Sequence, residues 1–205
     1  MTDIKEQVKE IKQSFRQMMD GAVAKSMRDK GLAYKLNWGA TLPRLREKAD
    51  TYGKNYDLAI ALWKEDVREC KILATMIMPA EEVLPEVIDI WMEQITSQEI
   101  AEQAVCNLFQ YLPYAPEKAY TWMASDQVLY QYCGFHILAR LFMAKREPNE
   151  RGINEFVDQA LAALQGENIG VRKAAMAAVR RFSELGLVYE RLAKSALKQI
   201  NYDFL

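Results

Sequence analysis

Residues 37–79 read NWGATLPRLREKADTYGKNYDLAIALWKEDVRECKILATMIMP. Three short helices are spelled out in this stretch. Thr41 stands as an N-cap with Pro43 in the first turn, and Leu42, Leu45 and Ala49 follow at helical spacing. Asn55 begins a second run, with Leu58, Ala59, Leu62 and Trp63 on one face. A third run carries Val67, Cys70, Leu73, Ala74 and Ile77, and it stops at Pro79. No helix this short is stable alone in water. Each must bury its stripe against neighbours, so the stretch predicts a packed antiparallel array of helices.

The rest of the chain agrees. Half of its 205 residues are hydrophobic, enough for a sizeable core, and nine glycines and six prolines leave few breakers. Strand-like alternation is absent, and the residues that dominate favour helix. We expect one helical-repeat domain over residues 1–205. The charged start MTDIKEQVKE has no apolar signal core, and no apolar run is long enough to span a membrane. A cytoplasmic protein is expected. Cys70, Cys106 and Cys133 lie far apart within helical runs, with no Cys/His spacing for a metal, so neither metal nor cofactor is expected.

Outward from the central stretch, residues 2–28 read as one or two amphipathic helices with the stripe Ile4, Val8, Ile11, Phe15, Met18, Met19 and Ala22, divided at Gly21. We read them as a cap on the end of the array rather than a docking arm. Gly31 to Gly39 is a connector, with Tyr34, Leu36 and Trp38 available to pack beneath it. Helices are then predicted over 81–95 with Glu81 and Glu82 in the first turn, over 98–112 behind the N-cap Ser97, and from Pro116 to Ala124. Others follow from the N-cap Ser125 to Lys145, over 150–165, over 168–185 and over 187–199, with NYDFL as a tail.

Alternate helices read alike: VRECKILATMI (67–77), IAEQAVCNLFQ (100–110), YQYCGFHILARL (130–141) and VRKAAMAAVRRF (171–182), each with small residues at close-packing positions. The architecture this implies is all-α, a right-handed superhelix of HEAT/ARM-like antiparallel helix pairs. Second helices of successive pairs tend to line the concave face of such a stack, where duplex DNA would lie.

Net charge is −1, so the whole-molecule field offers nucleic acid little attraction and any such site must come from local asymmetry. The asymmetry exists. Residues 81–102 hold seven carboxylates and no Lys or Arg, whereas 168–205 hold seven basic residues against three acidic ones. Arg140, Lys145, Arg172, Lys173, Arg180 and Arg181 are the candidates for contacts to a phosphate backbone. The bland alternative for such a run is a solvated helix face. Trp63, Trp91 and Trp122 sit on apolar stripes and read as core. His136 has no Ser or Cys partner in a recognisable setting and reads as a packed helix residue.

Gly39, Pro43, Leu45, Arg46, Leu62, Trp63, Glu69, Lys71, Leu73 and Ala74 form an ordered string that resembles the N-terminal half of the AlkD-like DNA alkylation repair proteins. Val171, Lys173, Ala174, Ala178 and Arg180 are similar to the family's C-terminal motif. The resemblance implies a HEAT-like repeat DNA glycosylase ancestor that excises cationic alkylated purines with a carboxylate, an arginine and two tryptophans. Its tryptophan–aspartate pair matches Gln98 and Glu102. Its arginine pair matches Gln131 and Tyr132, and its second tryptophan matches Ala177. Only the carboxylate Glu102 remains, one methylene longer, as the candidate catalytic residue. The expectation is a DNA-binding family member whose glycosylase site is altered and weakened or lost. The rival is a non-catalytic helical scaffold for a protein partner.

Overall fold

The computed structural model describes residues 3–32 and 34–202, and every regular element among them is helical. The described chain falls into two compact units, Met1–Tyr111 and Leu112–Leu205. No described helix is long and apolar enough to cross a membrane.

In the first unit α1 (Ile4–Phe15) buries Val8, Ile11 and Phe15, and α2 (Gly21–Asp29) buries Ala24. The expected stripe is cut short. Met19 and Ala22 are exposed, because a short 3-10 turn (Arg16–Met18) ends α1; the next helix starts at Gly21, as expected, behind the N-cap Asp20, which accepts the Val23 N–H at 3.0 Å. Residue 2, placed in this helix by the sequence, lies outside the described residues, as do Ala33 in the connector and 203–205 in the tail.

The central stretch folds as read. α3 (Leu42–Tyr52) has Pro43 in its first turn and buries Leu45 and Ala49, although Thr41 makes no side-chain cap bond. α4 (Tyr56–Trp63) is capped by Asn55 and buries Leu58, Ala59, Leu62 and Trp63. α5 (Arg68–Ile77) ends just before Pro79 with Cys70, Leu73, Ala74 and Ile77 buried. α5 packs on both α3 and α4, and α1 packs on α4. α6 (Pro85–Glu93) starts later than expected. Glu81 and Glu82 stand outside it, because the residue before a proline is held extended and Leu84 has ψ 150°. α7 (Gln98–Asn107), capped by Ser97, packs on α5. Trp63 and Trp91 stack at 4.1 Å with planes 4° apart, and the Trp63 indole N–H donates to Gln94 at 2.8 Å.

The second unit pairs α8 (Ala115–Met123) with α9 (Val128–Met143), then α10 (Glu150–Gln165) with α11 (Ile169–Ser183), and ends with α12 (Leu187–Gln199). α9 begins three residues past Ser125, whose hydroxyl caps the preceding turn at Gln127 N–H instead. Asn149 and Asn168 cap α10 and α11. α9 and α11, two of the helices that read alike, pack extensively on each other. Phe142, Phe156, Phe182 and Tyr189 form an aromatic cluster with centroids 5.0–5.5 Å apart, its three phenylalanines buried in this unit's core.

Candidate nucleic-acid interface

α11 is buried on one side through Val171, Ala174, Ala175, Ala178, Val179 and Phe182. The helical period therefore gathers its polar residues on the opposite side. Arg172, Lys173, Met176, Ala177, Arg180, Arg181 and Glu184 line an open groove of about 710 Å³, with Ile169 at one end and Tyr202 beside it. Four cations thus face one carboxylate. Arg181 bonds Glu184 at 2.8 Å, in an exposed pair that water weakens. The side chains of Arg172, Lys173 and Arg180 make no ion pair among the described residues. Four of the six basic candidates come together here. An α-helix rises about 1.5 Å per residue, so Arg172 to Arg181 spans roughly 13 Å, the axial length of about four phosphates on one DNA strand.

The other two candidates stand elsewhere. Lys145 follows α9 in a left-handed conformation (φ 61°) and donates its ammonium to the Glu184 carbonyl at 2.6 Å, tying the end of α11 to the loop after α9. Arg140 is half-buried on α9, one turn after His136. His136 packs on Tyr132 at 4.3 Å, and burial together with the Arg140 charge pushes its pKa down to about 4. It is a neutral packed residue, as read.

Of the positions that match the family's catalytic groups, Gln98 and Glu102 lie one turn apart on the exposed face of α7. Glu102 makes no hydrogen bond or ion pair among the described residues. Tyr132 is buried and Gln131 half-buried, so neither presents a cation, and Ala177 leaves the middle of the α11 groove without an aromatic wall. No group of three metal-ligating side chains exists among the described residues.

Sequence reasoning passed over two features. Tyr202, read only as tail, lines the α11 groove. The second is a buried charge network on α5. Glu69 is fully buried and accepts the backbone N–H groups of Trp38 and Ala40 at 3.2 Å. Arg68, also buried, donates to the Ala40 carbonyl at 3.0 Å, to Glu69 at 3.1 Å and in a fork to Glu99 at 2.6 and 3.0 Å. Tyr34 adds a bond to Glu99 at 2.6 Å. Burial opposes ionisation of Glu99, but the bonds from Arg68 and Tyr34 outweigh it and hold the carboxyl below its usual range. The network clamps the connector against α5 and α7. Loss of either Arg68 or Glu69 strands a buried charge, which is far costlier than losing a surface pair. The signal was present in the adjacent charges Arg68 and Glu69 inside an apolar helical run.

Residues 11–194 match the family model described as "DNA alkylation repair enzyme". The chain belongs to that family. No curated protein is significantly similar in sequence. Among solved structures, one described as "A new family of proteins related to the HEAT-like repeat DNA glycosylases with affinity for branched DNA structures" aligns with a TM-score of 0.80 at 15% identity, over 93% of this chain and 80% of the other. That likeness establishes the expected HEAT-like repeat fold for this family member. Glu69, within the resembling string, secures the connector from inside by accepting the Trp38 and Ala40 N–H groups.

Proposed function

We propose that this member of the DNA alkylation repair family binds double-stranded DNA through the phosphate backbone, with the α11 groove as its contact surface and without an intact base-excision pocket. The observation that carries the reading is the gathering of Arg172, Lys173, Arg180 and Arg181 on one open helix face, three of them free of the Glu184 carboxylate. The groove takes backbone contacts rather than base edges or a flipped base. Its centre is Ala177 and Met176, which give no ring for a base or sugar to stack on. Glu102 can stabilise a cation, but no neighbouring aromatic or arginine at the matched positions would hold a lesion beside it.

Fluorescence anisotropy over a salt series tests this, using a plain duplex, a duplex with an abasic-site analogue and a four-way junction. The junction is included because the structural neighbour is described as having affinity for branched DNA. Submicromolar binding is expected, with log K falling against log salt with a slope of about −3 or steeper. Arg172→Glu with Arg180→Glu should weaken binding by about tenfold or more. Unchanged affinity in that variant overturns the α11 reading, and an absence of binding at low salt would move the search to protein partners. Release of alkylated bases above background, abolished by Glu102→Gln, would overturn the loss of the excision site.

A further inference from the structure

The first unit carries a second basic surface that the sequence reading absorbed into a capping helix. Lys5, Lys9 and Lys12 lie on one face of α1, and Arg16 follows at the start of the 3-10 turn, at spacings of four, three and four residues. With Gln13, Leu36, Trp38 and Glu65 they line a groove of about 350 Å³. The apolar stripe of α1 is already spent on the unit's own core. Two of the cations have carboxylate partners. Lys12 bonds Glu65 at 2.6 Å, and Lys9 bonds Glu6 at 3.1 Å in an exposed pair that a phosphate can displace. The Arg16 guanidinium lies 6.0 Å from the Trp38 ring centre, and the indole N–H is buried without a hydrogen-bond partner among the described residues.

The geometry points to this groove as a separate contact for a nucleic-acid phosphate backbone. From Lys5 to Arg16 the helix advances roughly 16 Å, which spans four to five phosphates along one strand of a duplex. The cations therefore meet successive phosphates rather than one isolated anion. The inference rests on the DNA-binding reading above but not on the α11 groove, since the two faces belong to different units.

The test compares two variants of the full chain on a duplex long enough for both surfaces, by anisotropy across a salt series. One is Lys5→Glu/Lys9→Glu/Arg16→Glu. It leaves Lys12 with Glu65 and changes only exposed side chains, so circular dichroism should show an intact fold. The other is Arg172→Glu/Arg180→Glu. The α1 variant is expected to bind at least about tenfold more weakly and to lose about three from the magnitude of the salt slope, roughly one for each phosphate contact. If the α11 variant loses affinity while the α1 variant binds as the parent does, the inference falls and the α11 reading stands. An acidic protein segment as the occupant of this groove would give that same result. Loss in the α1 variant alone supports the inference and overturns the α11 groove. An absence of binding by the parent protein overturns both.

Discussion

Ala177 decides what the α11 groove can hold. It sits one helical turn from both Lys173 and Arg180, beside Met176, at the position that the sequence resemblance pairs with the family's second tryptophan. A methyl group gives a phosphate backbone room to approach and gives a base or sugar nothing to stack on. Ala177→Trp should therefore restore an aromatic wall without touching the core, since Ala177 is only half-buried. Stacking on a ring contributes about 1–3 kcal/mol per base. Affinity for an abasic-site duplex should rise by about fivefold or more over plain duplex, and parallel titrations by anisotropy would show it. An equal change on both DNAs would mean the ring meets only backbone. The α11 stripe around Ala177 was legible in the sequence, since Val171, Ala174, Ala178 and Phe182 run at helical spacing and are buried. Tyr202 was not, because a single tyrosine past the last helix carries no period, and only the folded chain brings it beside α11.

Helix faces were more legible than helix ends. Leu58, Ala59, Leu62 and Trp63 on α4, and Cys70, Leu73, Ala74 and Ile77 on α5, are all buried as the 3.6-residue period requires. The misplaced starts of α6 and α9 have local causes. Pro85 holds Leu84 extended, and Ser125 spends its hydroxyl on a turn ahead of the helix. The charge clamp was hidden for a different reason. Period alone marks Arg68 and Glu69 as polar, and only the connector's backbone, folded over them, supplies the partners that permit burial. Small residues inside helices did signal close packing, and Gly134 shows the mechanism. A Cβ there would collide with the Met123 backbone nitrogen and come 2.7 Å from the Ala119 carbonyl, so α9 can lie directly on the backbone of α8. Gly134→Ala must push the two helices apart. Despite the better helix propensity of alanine, we expect a net destabilisation of about 1–3 kcal/mol, read from the midpoint of urea unfolding. A stabilised variant would show that the contact is loose.

At the scale of the whole chain, a net charge of −1 leaves recognition of DNA to local faces, and the pH response should reveal how those faces are built. The chain has one histidine. An exposed histidine would turn cationic near pH 6.5 and strengthen DNA binding as pH falls. His136 is held at about 4 by burial and by Arg140, so it stays neutral through that range. The groove along α11 is lined by no histidine. Affinity for duplex should then change by less than about twofold between pH 7 and 5.5 at constant salt. Stability should respond differently. The unfolded chain takes up a proton on His136 near pH 6.5, while the folded chain does so only near pH 4. Between those values the unfolded state binds more protons, so unfolding free energy falls as pH is lowered through that window. His136→Phe keeps an aromatic ring against Tyr132 and removes the titrating group, and it should flatten this part of the profile. An NMR titration of the single imidazole checks the premise directly. A midpoint near 6.5 in the folded protein would place His136 in water, and the flat binding profile would then have no physical basis.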